Sequence, residues 1–91
     1  MYCVYILYSD SLDSYYVGET VDLENRILEH NTSFYKKSYT SKIKDWKLFL
    51  LIECKDRIQA RKIETHIKKM KSKKYFIDIK KYPEIIEKLK R

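Results

Sequence analysis

The stretch "SYYVGETVDLENRILEHN" brings together groups that could act on a phosphate. It contains the only glycine of the chain, Gly18, between two tyrosines and a predicted helix. Arg26 and His30 lie four residues apart, which places them on one face of that helix. A guanidinium group can bind two phosphate oxygens at once, and Arg26 is the only basic residue among residues 1–31. The residues that could form a small polar site are Tyr5, Tyr16, Gly18, Arg26 and His30.

Each of these residues also has a plain structural interpretation. Gly18 could adopt a positive φ in a turn, or let another backbone or a phosphate come close. Arg26 could form an exposed ion pair with Asp22, one turn earlier on the helix. His30 could be a surface or packing residue, and a chain with nine tyrosines offers many that do no chemistry. Residue types and spacing leave both interpretations open.

Glu64 presents a similar choice in the second half of the chain. It follows Ile63 at the border of a predicted buried stripe, and Lys68 lies one turn later, at the spacing of a favourable ion pair. A half-shielded carboxylate could instead hold one Mg²⁺, which keeps several waters and needs only one or two carboxylates plus substrate phosphate.

The elements that must position these groups follow from the hydrophobic pattern. "YCVYILYS" and "YYVG" predict two strands of a hairpin joined by "SDSLDS". Asp22 is a predicted N-cap of a helix that runs to about His30, with an apolar stripe of Leu23, Ile27 and Leu28. A long basic loop, "NTSFYKKSYTSKIKD", follows from Asn31. "WKLFLLIEC" predicts a third strand that is apolar enough to be covered on both faces.

Helices are predicted for the rest of the chain. Asp56 is a predicted N-cap, and the next helix has a buried stripe of Ala60, Ile63, Ile67 and Met70. A last helical stretch, interrupted by Pro83, closes the chain. At 91 residues, the chain is expected to form one domain over residues 1–91.

Charge and composition restrict the partners. The chain has 20 Lys and Arg against 13 Asp and Glu, and all the basic residues except Arg26 lie in residues 32–91. This asymmetry predicts a nucleic-acid partner, with a lysine-rich solvated surface as the plainer alternative. No apolar run is long enough to cross a membrane and no secretory signal is evident, so a cytoplasmic protein is expected. Cys3 and Cys54 belong to no metal-binding motif and are predicted to be reduced core residues.

As a set, these residues resemble the GIY-YIG nuclease domain, in particular its small stand-alone bacterial members. The resemblance is carried by "CVY", by "YVG", by an arginine eight residues after that glycine, and by a glutamate in the helix after the third strand. It covers nearly the whole chain. It implies an α+β fold in which a small three-stranded antiparallel sheet is flanked by helices, in the order ββαβα plus a C-terminal helix.

The resemblance also implies a metal-dependent endonuclease that hydrolyses DNA phosphodiester bonds, in DNA repair or restriction. Tyr16 or Tyr5 would be the general base for an attacking water. Arg26 and a Mg²⁺ or Mn²⁺ ion on Glu64, the single metal ligand, would stabilise the developing charge. His30 matches a histidine found one turn after the arginine in several branches of the family.

Two residues depart from the family pattern. Cys3 replaces the glycine of the first motif. Glu19 follows Gly18 where some relatives have a basic residue, and its negative charge would raise the pKa of a nearby tyrosine. The alternatives are a non-catalytic nucleic-acid-binding module with the same fold, and a subunit whose protein partner recognises the substrate. The sequence does not choose between RNA and DNA, or among duplex, flap and branched substrates.

Overall fold

The computed structural model describes residues 1–31 and 45–91, and it confirms an α+β fold built on a three-stranded antiparallel sheet. The strands are β1 (Cys3–Ser9), β2 (Ser14–Thr20) and β3 (Trp46–Glu53). Their order is β2-β1-β3, with β1 antiparallel to both neighbours. Because β1 is central and both of its faces are covered, residues 4–7 are each at most 1% exposed.

The two faces of the sheet have different cores, because alternate residues of a strand point to opposite faces. Helix α1 (Leu23–Asn31) covers one face, called here the α1 face, and helix α2 (Arg57–Met70) covers the other, the α2 face. The core of the α1 face consists of Tyr5, Leu7 and Trp46, packed with Tyr16, Leu23 and Ile27. The core of the α2 face includes Val4, Ile6, Val17, Ile52, Ala60, Ile63 and Ile67.

Both predicted N-caps are confirmed. Asp22 Oδ1 accepts a hydrogen bond from the backbone N–H of Asn25 at 3.2 Å, and Asp56 Oδ1 accepts one from Gln59 at 2.8 Å. The predicted apolar stripes are wrong at one residue each. Leu28 of α1 is 58% exposed and Met70 of α2 is 42% exposed, since each helix presents only part of its apolar face to the sheet.

The C-terminal helical stretch is interrupted at Pro83, as predicted, and consists of two helices, α3 (Lys73–Lys81) and α4 (Pro83–Leu89). Helix α2 ends at Met70, and the next residue, Lys71, has a left-handed φ of 44°. The side chain of Ser72 then caps α3 by accepting a hydrogen bond from the backbone N–H of Tyr75. Pro83 lies in the first turn of α4, where its missing N–H costs nothing.

Strand β3 is covered less completely than its apolar sequence predicts. It is an edge strand, and Leu48 and Leu51 are 43% and 38% exposed. The pairing of β1 with β3 shifts between Ile6 and Leu7, so that Leu51 lies opposite Tyr5 and Leu48 lies opposite Leu7. Both exposed leucines therefore belong to the α1 face, which is the more open face at β3.

A carboxylate joins the hairpin to the start of β3. Asp45 accepts hydrogen bonds from the hydroxyl of Ser9 at 2.7 Å and from the backbone N–H and hydroxyl of Ser11 at 2.9 and 2.8 Å. These donors lower the pKa of Asp45 to about 2, and the Ser9 hydroxyl has the largest effect. The end of β1 and the beginning of β3 are thus held together.

Other expectations concern the cysteines, the basic loop and the membrane. Cys3 and Cys54 are free and buried, as predicted, and burial raises the pKa of both thiols. The predicted basic loop lies outside the described residues except at its ends, where Asn31 belongs to α1. Among residues 1–31 and 45–91, no helix is long and apolar enough to cross a membrane.

Candidate active site

The single glycine provides room for a tyrosine ring. The register of β1 and β2 places Tyr5 directly opposite Gly18. A Cβ atom added to Gly18 would lie 2.5 Å from Cζ of Tyr5 and 2.9 Å from Cε1, which is closer than real carbon atoms approach. Gly18 does not have a positive φ, so the turn interpretation is wrong. Gly18 does let another group come close, but that group is the side chain of Tyr5 on the neighbouring strand.

Tyr5, Tyr16 and His30 meet on the α1 face. Tyr5 Oη and His30 Nε2 are hydrogen-bonded at 3.3 Å. The rings of Tyr16 and His30 pack edge to face with centroids 4.5 Å apart, and the rings of Tyr5 and Tyr16 stack at 6.4 Å. Trp46 lies 6.3 Å from both Tyr16 and His30, measured between centroids. We call Tyr5, Tyr16, His30 and Trp46 the aromatic cluster.

The two tyrosines of the cluster differ in exposure. Tyr5 is only 1% exposed, whereas Tyr16 is half-buried on the edge strand β2. Solvent or a substrate can therefore reach Tyr16 more readily than Tyr5.

The surroundings of His30 favour its neutral form. It is 1% exposed, and burial lowers its pKa below the ordinary value of 6.5. The positive charge of Arg26, one turn earlier on α1, lowers the pKa further. A neutral imidazole can hold a hydrogen bond with the Tyr5 hydroxyl without placing a buried positive charge near that of Arg26.

Asn31 positions the cluster from the end of α1. Its side-chain amide donates to the carbonyl of Trp46 and accepts from the backbone N–H of Trp46, both at 2.9 Å. The amide thus pairs with β3 much as a neighbouring strand would. Because His30 and Asn31 are adjacent, this contact holds the imidazole beside the indole of Trp46.

Arg26 lies at the rim of the site. Its side chain is 37% exposed, and its ion pair is with Glu29, at 3.8 Å, instead of the predicted partner Asp22. Asp22 accepts the backbone N–H of Arg26 through its carbonyl. Arg26 also lines a surface cleft of about 250 Å³ at the end of β2, which we call the β2 cleft. The other residues that line it are Tyr2, Glu19, Thr20, Val21 and Arg57.

Glu64 lies apart from the aromatic cluster, on the helix that covers the opposite face of the sheet. Its side chain is 19% exposed, and the predicted pair with Lys68 is present at 3.6 Å. Glu64 follows Arg57 by seven residues, or two helical turns, so both lie on one flank of α2. Arg57 lines the β2 cleft with Arg26, and this flank of α2 is therefore the side nearer to α1.

The donor atoms near Glu64 limit which metal site is chemically reasonable. In the part of the chain that the structure describes, no three His, Cys, Asp or Glu side chains are arranged to hold a metal ion. An ion at Glu64 would take its other ligands from water and from a substrate phosphate. Mg²⁺ accepts such coordination, because it keeps several waters and binds few carboxylates. The half-buried carboxylate of Glu64 fits that requirement.

Comparison with known proteins identifies the family. A family model for the GIY-YIG catalytic domain matches residues 1–76 of the 91 residues. The chain belongs to the GIY-YIG family. This is a nuclease-type family, so its substrate is nucleic acid. No curated protein and no solved structure matched the chain.

The GIY-YIG match spans all the residues predicted to form the site, and the structure clarifies the two departures from the family pattern. Cys3 is a buried residue of β1, opposite Thr20 of β2. Glu19 lies opposite Val4, on the face of the sheet away from Gly18 and Tyr16. Its carboxylate therefore affects the Tyr16 phenol less than its position beside Gly18 suggests.

Sequence reasoning missed three residues around this GIY-YIG site. Asn31 appears in the sequence only as the first residue of a loop, and Trp46 only as the first of an apolar strand. Arg57 appears as one of many basic residues of a helix. The signal for Asn31 is its position directly after His30 at a helix end. No local pattern indicates that Arg57 and Arg26 line one cleft.

Proposed function

We propose that this GIY-YIG protein is a metal-dependent endonuclease that hydrolyses phosphodiester bonds of DNA, with residues 1–91 as one nuclease domain. The observation that carries the proposal is the aromatic cluster, where Tyr5, Tyr16 and His30 converge beside the glycine that admits the Tyr5 ring. A purely structural face of a sheet does not require a buried hydroxyl and a buried imidazole at its centre. Family membership supplies the class of reaction.

Tyr16 is the proposed general base. It is the more exposed of the two tyrosines, so an attacking water can approach its Oη. In the reaction, a proton passes from that water to Tyr16 Oη while the water oxygen attacks phosphorus. The bond from phosphorus to the leaving sugar oxygen breaks, and that oxygen takes a proton from solvent. A free tyrosine has a pKa of about 10, so the phenolate must be favoured by a nearby positive charge. Arg26 lies on the same helix face as His30, against which Tyr16 packs, and can supply that charge.

Tyr5 and His30 are proposed positioning residues. Tyr5 is too deeply buried to reach a phosphate, but its ring stacks with Tyr16 and its hydroxyl bonds His30. Neutral His30 in turn packs edge to face on Tyr16. Together they hold the Tyr16 ring in one orientation, which reduces the entropy lost on reaching the transition state.

Arg26 is proposed to bind the reacting phosphate. Its guanidinium can donate two hydrogen bonds to the non-bridging oxygens, whose negative charge increases in the phosphorane. Glu64 would hold the Mg²⁺ or Mn²⁺ ion. When bound, that ion would supply positive charge at the phosphate and stabilise the leaving oxygen.

The test is cleavage of labelled duplex, single-stranded, flap and branched DNA, with an RNA arm, in Mg²⁺ or Mn²⁺. Arg26→Ala and Glu64→Gln should each reduce the cleavage rate at least about a hundredfold, the effect of removing one transition-state charge partner. Tyr16→Phe should do the same, because phenylalanine cannot accept the proton. Glu87→Gln, an equal charge change on exposed α4, is the matched control and should cut as the native chain does.

Two outcomes would contradict the proposal. One is an absence of product at every metal concentration; the other is equal cleavage by the native chain and the folded Glu64→Gln variant. Unfolding curves for each variant separate loss of chemistry from loss of fold.

A nucleic-acid-binding module without activity is the second candidate. It is favoured by the basic residues of α2, which outnumber its single acid, Glu64. Salt-dependent binding that survives Glu64→Gln, without any cleavage, would select this candidate.

A further inference from the structure

Two arginines from different helices line the β2 cleft. Arg26 comes from the middle of α1, and Arg57 is the first residue of α2. Guanidinium groups that approach one cleft from two sides are suited to an anion with several oxygens, because each presents a planar fork of donors. Nothing in the sequence brings these two residues together, since 31 positions separate them.

The charge of Arg57 is not neutralised by any carboxylate in the described part of the chain. No carboxylate in residues 1–31 or 45–91 forms an ion pair with it within 4 Å. Among the described residues that line the β2 cleft, Glu19 is the one acidic residue. Arg57 therefore adds a positive charge to the cleft without a counter-ion among the described residues, which favours the binding of a substrate phosphate.

The position of Arg57 relative to Glu64 extends this observation. Both lie on one flank of α2, two turns apart, at about 1.5 Å rise per residue or roughly 10 Å along the helix. Adjacent phosphates of a nucleic-acid strand lie closer together than that distance. A strand whose phosphate lies near Glu64 can thus present a nearby phosphate of the same strand to the β2 cleft.

We infer that Arg57 is a second phosphate-binding residue, which holds a phosphate of the cut strand next to the scissile bond. Since this role presupposes the proposed nuclease activity, its tests separate binding from cleavage. Arg57 would bind the substrate equally strongly in the ground state and in the transition state. Arg26 would instead bind the reacting phosphate, whose negative charge increases in the transition state. Removal of Arg57 should therefore raise KM and leave kcat near the native value.

Binding is measured first, in EDTA, with a short labelled single-stranded DNA over a range of salt concentrations. Arg57→Ala should weaken binding and reduce the slope of log K against log salt by about 0.7, the value for one phosphate contact with a single strand. Arg57→Lys should recover part of the slope, because lysine keeps the charge but not the fork.

Arg61→Ala is the matched control. It removes the same charge one turn further along α2, from a separate cleft lined also by Lys62, Thr65, His66 and Lys69. It should leave the salt slope within error of the native value. Equal slopes and equal affinities for Arg57→Ala and Arg61→Ala would overturn the inference, because general electrostatic attraction would then explain both.

Glu19→Gln should change the DNA affinity in the opposite direction from Arg57→Ala. Removing the negative charge of Glu19 from the β2 cleft should strengthen binding of the same DNA, and a loss of affinity in the folded variant would contradict the assigned ligand. If the native chain binds but never cuts, the nuclease proposal fails by itself. The salt slopes still decide whether Arg57 binds phosphate.

Discussion

The two faces of the three-stranded sheet differ in the kinds of side chain that they bury. The α2 face is an aliphatic core, in which Val4, Ile6 and Ile52 pack against three buried residues of α2. The α1 face is aromatic and polar, with a buried histidine hydrogen-bonded to a buried tyrosine. Neighbouring residues of one strand, such as Val4 and Tyr5, therefore serve stability on one side and the candidate chemistry on the other.

This difference shows how a small chain can support a polar site. Burying an imidazole and a phenol gains less free energy than burying aliphatic side chains, and it requires satisfied hydrogen bonds. The α2 face supplies the apolar burial that the α1 face lacks, with additional contacts from Phe76 and Ile79 of α3. Substitutions on the α2 face should thus mainly lower stability, whereas substitutions on the α1 face should mainly lower the cleavage rate.

The largest effect on stability is expected from a cavity in the α2 face. Ile79 is fully buried, and Ile79→Ala should lower the free energy of unfolding by about 2–5 kcal/mol. Cleavage per folded molecule should stay near the native value, because Ile79 is on the face away from the aromatic cluster. Denaturant unfolding and cleavage assays at equal folded concentration check both statements. A large loss of cleavage in fully folded Ile79→Ala would show that the two faces are coupled.

A smaller loss of stability, but a larger loss of cleavage, is expected for Gly18→Ala. The new methyl group would collide with the Tyr5 ring, and overpacking of this kind costs about 1–3 kcal/mol. Because Tyr5 must move, its contacts with Tyr16 and His30 should change. Trp46, the only tryptophan, packs in the same cluster, so its fluorescence should report the displacement.

Val17→Ala is the control for this substitution. Val17 is adjacent to Gly18 but belongs to the core of the α2 face, so its truncation should lower stability and leave Trp46 fluorescence and cleavage unchanged. Native stability and cleavage in Gly18→Ala would refute the spatial requirement at this position.

The smallest expected effect is a pH dependence of the free energy of unfolding, which arises from His30 on the α1 face. The folded state lowers the pKa of His30 below the 6.5 of the unfolded chain, first through burial and then through Arg26. Well above pH 6.5 the residue is neutral in both states and contributes nothing to the dependence. Below it the unfolded chain takes up the proton more readily, so the free energy of unfolding should decrease, by at most about 1.4 kcal/mol per pH unit for one proton.

His30→Gln removes this titration while keeping a polar side chain beside Tyr5. The unfolding free energy of the native chain should therefore fall more steeply between pH 7 and 5 than that of the variant. Asp45 does not interfere in this range, because its folded pKa of about 2 affects stability only below its ordinary value of 3.8. Parallel curves for the two proteins would contradict a lowered His30 pKa.

Local sequence patterns predicted most of the fold. The alternation around β1, the turn residues of the hairpin and the aspartate N-caps of α1 and α2 depend on contacts within a few residues. The interruption of the last helical stretch at Pro83 was also predicted, because proline is a local signal. The boundary between α2 and α3 was not located, because it depends on the left-handed φ of Lys71 and the cap formed by Ser72. The exposure of Leu48 and Leu51 was also missed, since it depends on β3 being an edge strand and on which face its residues share with Tyr5 and Leu7.

The candidate site was likewise predicted only in part. The sequence by itself determined which chemical groups were available and that Arg26 and His30 share a helix face, because helical spacing is a local property. Only the tertiary structure decided that Gly18 makes room for Tyr5, that the amide of Asn31 holds Trp46, and that Arg57 lines a cleft with Arg26. These contacts join residues far apart in the chain, and strand register and helix packing set them once the whole molecule has folded.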